Sequence, residues 1–187
     1  FEELRKHRKL TIKTRIMKQT RHLLIALALG TMLTSCGASV STATVTGPAA
    51  YVDPYIGSGG HGHVFVGASV PFGAIQAGPQ NIHKGWDWCS GYHHSDSIVI
   101  GFAHTHLSGT GCTDMGDVQI MPYTGELRSK RGRQEDIGGS CSSYYSHDNE
   151  SVSPGYYSLK MDNGVRIEMT ASTRTALHRI TYPEAEG

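Results

Sequence analysis

The sequence predicts an all-β fold, an antiparallel β-sandwich, over residues 51–187. Short runs with strand-like composition are separated by Gly, Pro and Asn, which is the punctuation expected between strands. The chain has 23 glycines among 187 residues, which favours many turns and argues against a helical bundle. Beyond Tyr51 no segment has the periodicity of an amphipathic helix. We therefore expect antiparallel sheets packed as a sandwich.

Five segments have the pattern of strands: residues 97–102, 118–123, 155–161, 165–170 and 175–182. The first is a continuous apolar run typical of a buried strand, and the second and fifth alternate polar and apolar positions. Asp162-Asn163-Gly164, between the third and fourth, is a hairpin signal. The charged segment 128–139 is predicted to be a solvated loop. Because a sandwich normally contains more strands than these, we expect the domain at 51–187 to be incomplete.

The first fifty residues have the composition of a targeting region. Residues 1–16 precede a candidate start at Met17 and are expected to be a non-native upstream extension. Residues 17–36 combine a short basic stretch with an apolar run of about ten residues, too short to span a bilayer. This segment ends in Leu-Thr-Ser-Cys-Gly, which resembles a bacterial lipoprotein box with cleavage before Cys36.

Acylation of the Cys36 thiol would anchor the protein in a membrane, since each buried methylene contributes about 0.8 kcal/mol. The alternative is a plain secretory signal in which Cys36 is incidental. Residues 37–50, rich in Ser, Thr, Ala and Gly, are predicted to be a flexible tether. The sequence therefore predicts an exported protein, lipid-anchored to the bacterial membrane, in the periplasm or at the cell surface.

The charge pattern argues against nucleic-acid binding. The formal net charge is +1 and only 18% of the residues are charged. Residues 51–117 contain one Lys and no Arg, so a phosphate-binding surface is not expected there. After the tether three cysteines remain, at positions 89, 112 and 141, and three thiols cannot all pair. No disulfide is predicted.

The segment 85–93 concentrates side chains that can bind a ligand or take part in chemistry: two Trp, one Cys, one Asp and one His. An indole face can stack on the C–H face of a pyranose, and a carboxylate can accept hydrogen bonds from neighbouring hydroxyls. Trp86, Asp87 and Trp88 therefore predict a wall of a sugar pocket. Flanking Gly85 and Gly91 indicate a loop rather than a strand. We expect one tryptophan to stack on the ligand and the other to pack.

Histidines suggest a second interpretation, because seven of the eleven lie between positions 61 and 106. Two His-x-His pairs have a spacing used by zinc enzymes, and two acids follow them closely. The residues are His61, His63, His104, His106, Asp114 and Asp117. The alternative is that these histidines donate and accept hydrogen bonds within glycine-rich turns.

Cys89 could act as a nucleophile with His93 as its base, but the pattern is unspecific. A buried structural thiol is the alternative. The sequence offers no persuasive pair of catalytic carboxylates at an exposed site.

Several longer motifs, in order, resemble glycoside hydrolase family 92, the calcium-dependent exo-α-mannosidases. The resemblance extends over nearly everything from Tyr51 to Pro183. It is carried by residues 52–63 (Val-Asp-Pro-Tyr-Ile-Gly-Ser-Gly-Gly-His-Gly-His), 70–73, 85–93, 101–111, 146–150 and 154–158. Departures from the family pattern are Val66 where Pro is common, Gln80 near a usual Asp, and His94 where an aromatic residue is usual.

This resemblance implies a two-domain enzyme, with an N-terminal β-sandwich followed by a helical (α/α)-barrel domain. Such enzymes release mannose from α-mannosides, often those of N-glycans, with inversion. In the family the general acid, the general base and most calcium contacts belong to the helical domain. The resemblance therefore implies calcium as the cofactor, no catalytic residue or metal ligand in this chain, and no activity of this chain alone.

In the family the sandwich supplies one wall of the mannose pocket. The tryptophan of its Gly-Trp-Asp motif corresponds to Trp86. The further candidates for contact with mannose-containing glycans are Asp87, Trp88, His93, Gly60 and His61. Two alternatives stay open: a surface carbohydrate-binding module that works alone, and a zinc-dependent hydrolase built on the His-x-His pairs.

Overall fold

A computed structural model of the chain describes residues 46–113, 115–126, 128 and 140–184. They belong to one compact unit, Val45–Gly187. The predicted upstream extension, the signal with Cys36, most of the tether and nearly all of the charged segment lie outside these residues. No helix in the described part of the chain is long and apolar enough to cross a membrane.

The described residues form two antiparallel four-stranded sheets, which confirms the predicted all-β sandwich. The first sheet has the order β1-β2-β3-β4, and the second has the order β5-β6-β7-β8. The strands are β1 Ala68–Ser69, β2 Gln76–Asn81, β3 Ile98–Ala103, β4 Ser143–Tyr144, β5 Glu150–Ser153, β6 Tyr156–Lys160, β7 Arg166–Ala171 and β8 Ala176–Thr181. Within the described ranges the helical segments are three short 3₁₀ turns, Gly47–Tyr51, Trp86–Trp88 and His147–Asn149.

The core lies between the two sheets, where β1 and β2 pack against β6 and β7. Every residue of β3 is buried. In and next to β6 and β7 the buried apolar side chains follow the two-residue period of strands that pack one face on a core. They are Tyr157, Leu159, Met161, Val165, Ile167 and Met169. Full burial of each such side chain contributes about 1.5–3 kcal/mol to folding, so this layer holds the sheets together.

Four of the five predicted strands are confirmed as β3, β6, β7 and β8. The hairpin signal between β6 and β7 is also confirmed. Gly164 has φ +84°, the N–H of Val165 donates to Oδ1 of Asn163 at 3.0 Å, and the N–H of Gly164 donates to the carbonyl of Met161 at 2.9 Å. These contacts close the turn because Gly tolerates the left-handed conformation.

The strand predicted at 118–123 is wrong. Only Ile120 pairs, as an isolated bridge with Phe102. Val118 has φ +49°, outside the strand region, and Pro122 has no N–H to donate. These two residues interrupt the ladder on either side of Ile120, so the alternating side-chain pattern does not become a strand.

Strand β2 was missed because it contains Gly78 and Pro79, which argue against a strand. The structure accommodates Pro79 because β1 pairs only with Gln76 and Ala77. From Gly78 onward β2 has a single partner, β3, and Pro79 faces Phe102 there. No described strand lies beside Pro79 on the β1 side, so the missing N–H of Pro79 costs the sheet no hydrogen bond there.

Candidate functional site

Residues 57–64 form a tight glycine turn that presents His61 and His63. The N–H of Val64 donates to the carbonyl of Gly57 at 3.1 Å and closes the turn. A Cβ at Gly62 would lie 2.1 Å from that carbonyl oxygen, so only glycine fits there. As a result His61 is exposed, whereas His63 is only 7% exposed.

The two tryptophans lie on a 3₁₀ turn, Trp86–Trp88, in different environments. The N–H of Trp88 donates to the carbonyl of Gly85 at 3.1 Å, and Gly85 has φ +136°. The turn confirms a loop rather than a strand. The Trp86 side chain is on the outside, and the residue is 57% exposed. Trp88 instead stacks on the ring of His93, with 4.3 Å between centroids.

Trp86 is supported from one side by the protein. The ring of His63 meets the indole edge-on at 4.1 Å between centroids, and the ring of His61 lies at 5.5 Å. A Cβ at Gly111 would lie 2.9 Å from Nε1 of Trp86, so the backbone of Gly111 is in close contact with the indole. These contacts hold the ring while most of it remains open to a ligand.

Asp87 lies beside the same histidines. Its Oδ1 is 2.5 Å from Nδ1 of His61, and 3.6 Å from Nε2 of His63, too long for a hydrogen bond. The hydrogen bond from His61 lowers the pKa of the Asp87 carboxyl below its usual range. Electrostatic attraction by His61 and His63 also lowers this pKa. Asp87 is therefore an ionised acceptor at neutral pH, next to an exposed indole.

His93 connects the two loops of the site. Its backbone N–H donates to Oδ1 of Asn81 at 2.8 Å. Its Nδ1 accepts from the backbone N–H of Ser95 at 3.3 Å, so Nε2 carries the proton and donates to the carbonyl of Gly60 at 3.2 Å. The side chain is buried, and both ring nitrogens are used within the protein. His93 and Gly60 thus position the glycine turn against the tryptophan turn.

Asp96 is a site residue that the sequence did not reveal. Its carboxylate is buried, and Oδ1 accepts from the backbone N–H groups of Ser97 and Ile98 at 2.8 and 3.1 Å. Oδ2 accepts from the indole N–H of Trp88 at 2.8 Å and lies 3.0 Å from Nζ of Lys84. The only signal was an acid directly before a buried strand, which does not predict that the acid anchors a tryptophan.

The two His-x-His pairs do not converge on a metal. His61 and His63 meet Asp87, whereas Nε2 of His104 lies 3.0 Å from Nε2 of His178. Asp114 lies outside the described residues. The four histidines form no group with metal-ligand spacing within the described ranges. The zinc-hydrolase interpretation therefore lacks the geometry it needs.

His106 and Cys89 have structural contacts. Nδ1 of His106 lies 2.8 Å from the carbonyl oxygen of Gln76, and its ring stacks on Phe65 at 5.0 Å between centroids. Burial lowers the pKa of His106 below its ordinary value of 6.5. Cys89 is buried, and its thiol donates to the carbonyl of Thr110 at 2.7 Å. This contact fits a packed thiol better than a nucleophile activated by His93.

One group in the described residues has metal-ligand spacing: His94, His147 and Glu150. Two imidazoles and a single carboxylate do not fit calcium, which takes six to eight oxygen ligands. This group is therefore not a calcium site.

The fold and the site together define a β-sandwich domain in which an exposed indole and an ionised carboxylate share one loop. The chain belongs to glycoside hydrolase family 92: residues 51–187 match the family's N-terminal domain, described as "Glycosyl hydrolase family 92 N-terminal domain".

Solved structures of this family resemble the chain. A family GH92 α-mannosidase from Bacteroides thetaiotaomicron, in complex with mannoimidazole, is 43% identical with a TM-score of 0.70, and the match covers 73% of this chain and 18% of that one. A GH92 family glycosyl hydrolase, ccman5, is 28% identical with a TM-score of 0.63, covering 72% of this chain and 19% of that one.

A curated relative from Arthroderma benhamiae, described as an uncharacterized secreted glycosidase, is 32% identical over 142 residues, which is 71% of this chain and 17% of the relative. The chain thus spans under a fifth of the length of each of these relatives.

Proposed function

We propose that the chain is the substrate-pocket domain of an inverting exo-α-mannosidase that acts on α-mannosides such as those of N-glycans. The observation that carries the proposal is Trp86, an exposed indole held by His63 with the ionised Asp87 beside it, in a chain of family 92. The relative in complex with mannoimidazole supports mannose as the sugar.

In this proposal the chain binds the sugar and leaves the chemistry to a part of the protein outside it. The mannose ring stacks on Trp86, and Asp87 accepts hydrogen bonds from its hydroxyls, with His61 at the rim. Trp88, His93 and Gly60 hold these groups in place through packing and hydrogen bonds.

Inversion requires two carboxyl groups about 6.5–9.5 Å apart with a water between them. We assign both to the part of the protein outside this chain, together with the calcium ion. In this chain the carboxylates of Asp87 and Asp96 are engaged with His61 and with Trp88.

The test is hydrolysis of a synthetic aryl α-mannoside by the full-length protein and its variants. Trp86→Ala is expected to lower kcat/KM about tenfold or more, because the stacking surface is removed. Tyr144→Ala is the matched control, since Tyr144 is another half-exposed aromatic residue and belongs to β4 at the edge of the first sheet. Unchanged kcat/KM in Trp86→Ala would overturn the role of Trp86.

A second measurement separates this proposal from a binding module that works alone. The 187-residue chain by itself is expected to release no mannose from the same substrate. If it also binds α-mannosides as tightly as the full-length protein does, the self-sufficient carbohydrate-binding module is favoured.

We also propose that the protein is exported and lipid-anchored through Cys36. The lipoprotein box at 33–37 supports this proposal, and the relative described as secreted supports export.

A further inference from the structure

We propose that His94, His147 and Glu150 form a binding site for a divalent transition-metal ion of the zinc type. One ligand atom from each of the three side chains lies within 4.8 Å of the other two. None of these three residues belongs to the 3₁₀ turn Trp86–Trp88. The metal-site proposal does not depend on the mannosidase proposal.

The three ligand atoms lie nearly as close together as the ligands of a single bound ion do. The rings of His94 and His147 lie 4.3 Å apart at 30°, and Nδ1 of His147 is 2.7 Å from Oε2 of Glu150. Nitrogen and oxygen ligands lie about 2.0–2.2 Å from zinc, so tetrahedral ligand atoms are roughly 3.5 Å from one another. Binding requires the three atoms to move from within 4.8 Å of one another to that distance.

Glu150 is held in position for such an ion. Its carboxylate is fully buried, Oε1 accepts from the hydroxyl of Tyr157 at 2.7 Å, and Oε2 accepts from the hydroxyl of Tyr92 at 3.0 Å. Hydrogen bonds of this kind orient a ligating carboxylate. In the described structure its ion-pair partner is His147, which carries charge only when protonated. A cation at this position would offset the cost of the buried negative charge.

His147 is the ligand that already contacts Glu150. Its Nε2 is buried and has no hydrogen-bond partner among the described residues. In the ion-free protein a proton lies between Nδ1 of His147 and Oε2 of Glu150; an ion that replaces this proton would bind Nδ1 and Oε2 together, and Nε2 then carries the ring proton.

The ion can enter from solvent, since His94 is exposed and the His147 side chain is 33% exposed. Water completes the coordination on that side. The nitrogen-rich ligand set selects zinc-type ions over calcium or magnesium. Such an ion would link the segment after the tryptophan turn to the start of β5, and thereby the two sheets.

The experiment is calorimetric titration of the full-length protein with ZnCl₂ in a buffer that contains excess Ca²⁺. We expect one equivalent of Zn²⁺ to bind, and a thermal transition that rises with Zn²⁺ concentration. His94→Phe keeps a ring between Tyr55 and His147 and is expected to weaken that binding at least tenfold. The matched control is His83→Phe, an exposed histidine outside the cluster, which is expected to bind Zn²⁺ as the parent does.

Glu150→Gln tests the carboxylate, and His94→Phe keeps the test valid if Glu150→Gln does not fold. Equal Zn²⁺ binding by the parent and His94→Phe would overturn the proposal. So would loss of binding in His178→Phe but not in His94→Phe, because the ion would then lie at the His104–His178 pair. Neither readout uses mannosidase activity, so failure of one proposal is distinguishable from failure of the other.

Discussion

The indole N–H of Trp88 donates a 2.8 Å hydrogen bond to the buried carboxylate of Asp96. This bond fixes one tryptophan of the 3₁₀ turn inside the protein. A 3₁₀ helix has three residues per turn, so side chains two positions apart point in clearly different directions. Trp86 therefore lies outside when Trp88 lies inside, and the short motif divides into an anchor and a contact surface.

Trp88→Phe is expected to lower the free energy of unfolding by about 1–3 kcal/mol, because Asp96 loses a donor while remaining buried. Trp86→Phe is expected to change it by less than about 0.5 kcal/mol, since Trp86 is mostly exposed. Urea unfolding of the two variants measures both values. Equal losses in stability would contradict the division into anchor and contact surface.

Gly62→Ala is expected to disrupt the glycine turn, because its Cβ would lie 2.1 Å from a backbone oxygen of Gly57 that cannot rotate away. Gly60→Ala is the milder change. Gly60 has φ +55° with nothing within 4 Å of a Cβ, so only the left-handed backbone cost of about 1–2 kcal/mol applies. The thermal transition should fall further for Gly62→Ala; the reverse order would show that the turn is built differently.

Protonation of His106 is expected to oppose folding. Burial lowers its pKa below the ordinary 6.5, so below that pH the unfolded chain binds more protons than the folded one. The stability associated with neutral His106 is complete above 6.5 and declines as pH falls through that value. Denaturant unfolding between about pH 7.5 and 5.5 should show a shallower decline for His106→Gln than for the parent.

His178, whose pKa is also lowered by burial, accounts for part of the remaining slope in that variant. Parallel pH profiles for the parent and His106→Gln would show that His106 is not the group that titrates.

Cys36→Ser is expected to abolish incorporation of radiolabelled palmitate in the bacterial host, because the acceptor thiol is lost. Cys112→Ser is the matched control and should be labelled as the parent is. Labelling of the Cys36→Ser protein would contradict lipidation at Cys36, and export without labelling of the parent would favour a plain secretory signal.

The strands that the sequence predicted correctly are those whose signals are local. Apolar runs, the two-residue period and the Asp-Asn-Gly turn are properties of neighbouring residues, so β3 and the β6–β7 hairpin could be found. β2 could not, because whether Pro79 is tolerated depends on how far β1 extends beside it. The bridge at Ile120 failed to extend for a backbone reason, the positive φ of Val118.

The family motifs and the pairing of Trp86 with Asp87 were set by the sequence itself, since both are contiguous in the chain. Only the tertiary structure decided which tryptophan is exposed. It also decided that His93 joins two turns through hydrogen bonds and that Asp96 fixes Trp88. It also brought His94 to His147 and Glu150, more than fifty residues later. These outcomes depend on burial and on contacts between distant segments, and neither quantity exists until the two sheets have packed.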